Sequence, residues 1–320
     1  MNNLKKIGLS ALAGSLVATS AFAGSMSVSG SASMNVEHTN GGAANSGKTF
    51  SMGNQLTFTG GGELDNGLNV SLSFVIDQGD DKTAPNSLGT APFDSHSVSI
   101  GNDTFGTLVL HGEGGSSAQS ALDTTAAGDL FDNFDGSGDL TVSTSATSDD
   151  MIYYTLPTIM DGVAISASYV PAGSRTNSAT SYAVTYTGIE GLTLSAGKGD
   201  GNTPGATIEA TTYKANYAYG PVTVGYSSND YDHSTATSDQ KTTSWKVSYT
   251  VSDELSLTYG SEKIDTTGKV EDGEYASISA SYTTGGMTIS AARQTGDNID
   301  GTATATKDRE RWALSASFAF

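Results

Sequence analysis

The chain has no cysteine in its 320 residues, so no disulfide framework holds it together. Exported soluble domains of this length often carry disulfides, and their absence favours a fold that needs none. Positive charge is scarce. The 15 Lys and Arg stand against 34 Asp and Glu, a net charge of −19, which excludes nucleic-acid binding through a basic surface. Long apolar runs are missing as well. Beyond the N-terminus no stretch approaches ~18 apolar residues, so no helix is expected to cross a membrane. A mean hydropathy of −0.23 fits a soluble protein, but it fits equally well a membrane wall of strands in which only alternate residues meet lipid. Catalytic signatures are lacking: there is no G-x-S-x-G and no H-E-x-x-H. Gly60-Gly61-Gly62 lacks the helix and Lys of a phosphate loop. An enzyme is not expected.

What is present begins with a leader. Met1-Asn2-Asn3-Leu4-Lys5-Lys6 is a basic start, Ile7 to Phe22 is a short apolar stretch, and Ala21-Phe22-Ala23 fits a small-x-small cleavage site. Residues 1–23 read as a secretory signal peptide, and Gly24 to Phe320 as the mature domain. Without Lys5 and Lys6 the net charge goes from −19 to about −21. The 39 glycines, many serines and threonines, and 14 tyrosines suit strands and turns better than helices.

From Gly24 onward the pattern predicts about sixteen strands, each near the ~9–11 residues of a tilted membrane strand. Short and long connections alternate. The short ones carry turn residues: Asp65-Asn66-Gly67, Asn102-Asp103, Pro157 to Gly162, Gly188 to Gly191, Tyr219-Gly220-Pro221, Ser252-Asp253 and Thr284-Gly285-Gly286. The long ones are polar, at 38–49, 79–94, 112–149, 171–179, 200–209, 229–242, 264–272 and 296–307. Strict alternation of this kind predicts an antiparallel up-and-down barrel, whereas a soluble sandwich has Greek-key crossings.

Side-chain alternation gives each strand two faces. Val163, Ile165, Ala167 and Tyr169 share one face, as do Trp245, Val247, Tyr249 and Val251, and Leu255, Leu257 and Tyr259. In a soluble β protein these would be core; in a membrane barrel they face lipid and the polar faces line water. The inverted arrangement is favoured by aromatics near strand ends, such as Tyr226, Tyr282 and Trp312. The other faces carry mostly Ser, Thr and Ala, and charged residues are only 15% of the chain. The four histidines, His38, His96, His111 and His233, lie near loop ends without catalytic spacing and read as polar residues of the pore mouth.

The chain ends in Arg311-Trp312-Ala313-Leu314-Ser315-Ala316-Ser317-Phe318-Ala319-Phe320, a period-two strand running to a terminal aromatic. It resembles the closing strand of bacterial outer-membrane β-barrels, and the resemblance implies that Phe320 is read by the barrel assembly machinery. Closure requires the strand at 25–37 to pair with the one at 309–320. That first strand is rich in Gly, Ser and Ala, a wall better suited to another subunit than to lipid.

The connection at 112–149 is acidic, with Glu113, Asp123, Asp129, Asp132, Asp135, Asp139, Asp149 and Asp150 and no Lys or Arg. It also carries Leu122, Leu130, Phe131, Phe134 and Leu140, which suit packing against a wall rather than free projection into water. With this long third loop the mature chain is similar to general diffusion porins, in particular the sixteen-stranded trimeric type of alphaproteobacteria. The resemblance implies an outer-membrane homotrimer amid lipid and lipopolysaccharide, passing small hydrophilic solutes, with a third loop folded into the lumen opposite basic residues. Glu113, Asp123, Asp129, Asp132, Asp135 and Asp139 are the expected constriction acids. Parity turns Lys214, Lys246, Arg309 and Arg311 inward as the basic wall, but the early strands hold no arginine cluster, so mild cation preference is expected. No cofactor is required. Asp132, Asp135 and Asp139 are a candidate calcium site by oxygen density, although Phe131 and Val142 stand where an EF-hand would need acids. A solute-specific channel, or a non-conducting adhesin, is the alternative.

Overall fold

The computed structural model describes residues 24–41, 47–77, 94–134, 140, 142–146, 149–173, 177–201, 206–303 and 308–320. The expected signal peptide, Lys82, Asp135, Asp139 and Arg175 lie outside the described residues. The first half of the wall comprises β1 (Ser25–Asn40), β2 (Gly47–Glu63), β3 (Asn69–Asp77), β4 (Ser95–Asn102), β5 (Gly106–Glu113), β6 (Met151–Thr155), β7 (Val163–Val170) and β8 (Ala179–Ile189). The second comprises β9 (Leu192–Asp200), β10 (Ile208–Tyr219), β11 (Val222–His233), β12 (Gln240–Thr250), β13 (Leu255–Thr266), β14 (Gly273–Thr284), β15 (Met287–Asp297) and β16 (Arg309–Ala319). Each strand pairs antiparallel with its neighbours in sequence, and β1 pairs with β16 to close a sixteen-stranded barrel.

Closure leaves no unpaired edge, which hydrocarbon would penalise. The terminal residue completes it: the Gly30 N–H donates to the Phe320 carbonyl (2.7 Å), and the Phe320 N–H donates to the Gly30 carbonyl (3.0 Å). Gly30 leaves room for the Phe320 ring, since a Cβ at this position would lie 2.5 Å from it and would make the ring shift. Tight turns use left-handed glycines, for example Gly67 (φ 78°) and Gly191 (φ 75°).

The faces follow the alternation. Val247, Tyr249, Leu257, Tyr259, Leu314 and Trp312 are exposed on the outside, where they meet lipid. Strand ends reach further than expected. β11 and β12 continue to His233 and from Gln240, so the connection expected at 229–242 shrinks to 234–239. Polar cross-strand pairs such as Asp230 with Lys241 (3.1 Å) extend the ladder beyond the apolar band, which hydropathy alone does not mark. For the same reason Glu113 belongs to β5, not to the following loop. A register shift between His96 and Ser97 brings Glu113 opposite His96, at 3.8 Å. His38 lies on the outer face beside Trp312, not at the pore mouth, because β1 extends to Asn40.

Candidate functional site

Loop 3, the connection from β5 to β6, turns into the barrel and runs along its inner wall. Its first turn is the short helix α1 (Ser120–Asp123). Ser117 holds that turn: its carbonyl accepts the Ala121 N–H (2.8 Å) and its hydroxyl the Ser120 N–H (2.9 Å). A second clasp follows. Asp129, left-handed at φ 53°, accepts the Thr125 N–H (2.8 Å), and the Thr125 hydroxyl accepts the Asp129 N–H (2.8 Å). A 3-10 turn, Leu130–Phe134, follows.

Serine hydroxyls of successive strands receive the loop backbone. The N–H of Ala118 donates to Ser168 on β7 (3.0 Å), that of Gln119 to Ser181 on β8 (2.7 Å), that of Ala126 to Ser227 on β11 (2.8 Å) and that of Ala127 to Ser244 on β12 (2.9 Å). Gln119 Nε2 donates to Thr212 on β10 (2.7 Å). These lumen serines and Thr212 are buried beneath the loop. Each bond satisfies a loop donor that would otherwise lie buried without a partner. Close approach also needs absent side chains: a Cβ on Gly260 would sit 2.9 Å from Ala127, and one on Gly199 would sit 2.8 Å from Ser145.

Glu262 on β13 is the densest anchor and is 1% exposed. Its carboxylate accepts the Thr125 hydroxyl (2.5 Å) and the N–H groups of Leu130 (3.4 Å) and Phe131 (3.3 Å). Beside it Leu130, Phe131, Phe134 and Leu140 bury against Ile264, Tyr275 and Ile299, with the Phe134 and Tyr275 rings 5.9 Å apart. The loop's far end is held by the last strand. Arg309 donates to the Phe134 carbonyl (2.8 Å), and Arg311 to Asn133 (2.9 Å), Gln294 (2.7 Å) and Glu37 (2.6 Å).

The candidate acids are thus spread out. Asp123, Asp129 and Asp132 lie on the docked loop, Glu113 lies on β5, and Asp135 and Asp139 fall outside the described residues. Among the described residues no cluster of three His, Cys, Asp or Glu could hold a metal. Lys214 and Lys246 do face inward, but on the loop's own side. Lys214 Nζ donates to the Thr124 carbonyl (2.6 Å) and feels Asp123, Asp129 and Lys246 together. Arg309 and Arg311 serve as clamps on the loop. Burial pushes the Asp123 carboxyl above its ordinary range, and Asp129 adds to the rise. Hydrogen bonds from Thr144 and Ser120 and the charge of Lys214 oppose it. Opposite the loop, the inward positions of β2 to β5 carry Ser51, Gln55, Ser71, Ser99 and His111 and no Lys or Arg.

Sequence reasoning missed Glu262 and the serine row as loop partners, and Gln119 as the loop side chain that reaches the wall. Parity placed Glu262 and the serines in the lumen, and nothing local distinguishes a hydroxyl facing water from one facing a backbone.

A closed sixteen-stranded barrel with its third loop laid along the inner wall matches the fold of known channels. The sequence profile of the Gram-negative porins matches residues 8–270. The chain belongs to the Gram-negative porin family. As a porin it resides in the outer membrane and forms a channel through it. No curated protein sequence matches this porin significantly. Solved structures similar to it include an anion-selective porin from Comamonas acidovorans, with a TM-score of 0.70 at 16% identity, covering 92% of this chain and 99% of that one. OmpT of Vibrio cholerae, in its trimer form, gives 0.69 at 16% identity over 93% of this chain and 100% of that one. A variant of the Rh. blastica porin gives 0.66 at 18% identity over 92% and 100%. At these identities the likeness to this porin is one of fold.

Proposed function

We propose that this porin is a passive, non-enzymatic diffusion channel for small hydrophilic solutes and ions, with a mild preference for cations. The observation that carries the reading is the charge of the loop laid inside the barrel. Loop 3 brings Asp123, Asp129 and Asp132 into the lumen and contains no Lys or Arg, while the inward positions of β2 to β5 on the facing wall have none, the one Lys there, Lys48, being on the outer face. Fixed carboxylates in a narrow, poorly screened passage raise the local cation concentration. The anion-selective Comamonas relative has the same fold, so charge and not architecture decides the sign. A solute-specific channel is less favoured: the inward aromatics Tyr153, Tyr231 and Tyr275 sit on β6, β11 and β14 and form no continuous track.

The channel works as a homotrimer in this reading, with β1 to β5 facing the other copies. Those strands carry no Tyr or Trp, although Tyr169, Tyr226, Trp245, Tyr259, Tyr282 and Trp312 mark the lipid interface on β7 to β16. Met26, Val28, Phe50 and Met52 are exposed on that face, and the OmpT relative exists in a trimer form. Phe320, whose side chain is exposed at the barrel rim, is the signal for the assembly machinery.

The test is the triple variant D123N/D129N/D132N. Asn keeps the oxygen acceptors that hold Thr125 and Ser120. In a KCl gradient across a planar bilayer the reversal potential should move toward anion preference, and the change should shrink near 1 M salt, where the Debye length is about 3 Å. An unchanged reversal potential with intact conductance would place these acids away from the narrowest section.

A further inference from the structure

One lysine stands in the lumen just beyond loop 3. β12 runs from its long-loop end at Gln240 to its short-turn end at Thr250. On its inner face Ser244 holds the loop at Ala127 (2.9 Å), and the next inward residue, Lys246, lies about 7 Å further toward the short turns. Its neighbours Trp245 and Val247 are exposed on the outer face, so Lys246 points into the passage. Both residues paired with it across the sheet are glycines, Gly225 on β11 and Gly260 on β13. The wall is therefore bare on either side of it. The Lys246 stem leans across Gly225, where a Cβ would come within 3.2 Å of its Cγ and 2.7 Å of Asn216 Oδ1. Lys246 makes no hydrogen bond and no ion pair among the described residues. The other inward basic residues are all engaged by the loop: Lys214 by the Thr124 carbonyl, Arg309 by that of Phe134 and Arg311 by Asn133.

The acid that matches it is Asp129, half-buried at the loop's edge, with Oδ1 accepting the Thr125 N–H (2.8 Å). Lys214 lies within the field of both Asp129 and Lys246, so the acid and the free base share one ledge. We infer that Asp129 and Lys246 form a two-point site for short amphoteric solutes, the ammonium at Asp129 and the carboxylate at Lys246 with Asn216 beside it. The inference rests on the diffusion-channel reading above and adds a solute class to it: free amino acids and dipeptides. The two charges stand on one wall, one beyond the other along the pore. They hold a zwitterion lengthwise, with its carboxylate toward the short turns and the periplasm. In a narrow passage such fixed charges are poorly screened, and each solute end meets a charge-assisted partner. An uncharged sugar gains nothing from the pair.

The experiment is single-channel recording of the purified protein in a planar bilayer in dilute KCl. The probe is glycylglycine, with its N-acetyl derivative (anion only) and its amide (cation only) beside it. Glycylglycine should interrupt the ion current at a half-blocking concentration about fivefold below that of either derivative. K246Q should raise this concentration about fivefold, and K246R should restore it. K198Q, on the outer face and paired with Glu209 at 2.8 Å, should leave it unchanged. The N-acetyl derivative should block better from the short-turn side, where it meets Lys246 before the acids, and K246Q should remove that sidedness. Unchanged glycylglycine block in K246Q, with ion current intact, would overturn the site. Equal block by all three compounds would overturn it as well, since size alone would then explain the interruptions. The KCl reversal potential of the same bilayers tests the cation preference separately. If D123N/D129N/D132N leaves that potential unchanged but weakens glycylglycine block, the preference falls and the site stands.

Discussion

The two halves of the lumen are lined by the same kinds of residue and behave differently. On β7 to β16 the inward Ser168, Ser181, Ser227 and Ser244 are buried and hold loop 3. On β3 and β4 the inward Ser71 and Ser99 bond to each other (2.7 Å) and remain open to the pore. Small hydroxyl residues therefore do two jobs in one barrel. Beneath the loop they replace water as acceptors for backbone N–H groups, and on the bare side they keep the passage wide and wet. What separates the halves is the position of a few larger anchors, above all Glu262, Tyr275, Arg309 and Arg311.

The sharpest way to break this contrast is at Glu262. Replacing it by Leu leaves the Thr125 hydroxyl and the N–H groups of Leu130 and Phe131 without their acceptor, at ~1–3 kcal/mol for each group that stays buried. Loop 3 should leave the wall, so single-channel conductance should rise and become noisy, while Glu262→Gln, which retains an acceptor oxygen, should change it far less. Equal conductance in E262L and wild type would mean that the other anchors suffice.

A milder contrast compares glycines on the two halves. Gly260→Val drives side-chain atoms into Ala127 and should weaken loop docking by about 1–3 kcal/mol, visible as faster protease cleavage of loop 3. Gly53→Val on the bare half meets only the Ser33 hydroxyl and should leave cleavage unchanged. Similar cleavage rates in the two variants would erase the distinction drawn between the halves.

The smallest expected effect is that of pH on Asp123. Its carboxyl is raised when the loop is docked, so the docked form binds a proton more tightly than the released one. The contribution to docking is complete below the ordinary carboxylate range and is lost as pH rises through the raised value. Acidification should discharge Asp123 before exposed carboxylates, reducing cation preference in a separate early step. Asp123→Asn should abolish that step in reversal potentials measured against pH; a step that persists in the variant belongs to another group.

Much of this was legible in the sequence, for a physical reason. A membrane wall needs period-two alternation, and Val163, Ile165, Leu255 and Leu257 display it without any tertiary information. Phe131 and Phe134 pointed to an inward loop, since neither has a place in open water. Which wall the loop would lie on was not legible. Its partners stand 50 to 178 residues away in sequence, and a serine carries no mark of what its hydroxyl will meet. The strand ends were misjudged at Glu113 and around 229–242, because pairing outlasts the apolar band.

The clamps Arg309 and Arg311 lie on the final strand, and among the described residues the named wall partners of loop 3 all follow it in the chain. Phe131 and Phe134 bury against Ile264 of β13, Tyr275 of β14 and Ile299 beyond β15, so the loop has no complete seat until those strands are in place. The Arg311 that grips Asn133 also grips Glu37 across the β1–β16 seam. Closing the wall and seating the loop are therefore joined in one side chain, and a defect in the seam is also a defect in the loop.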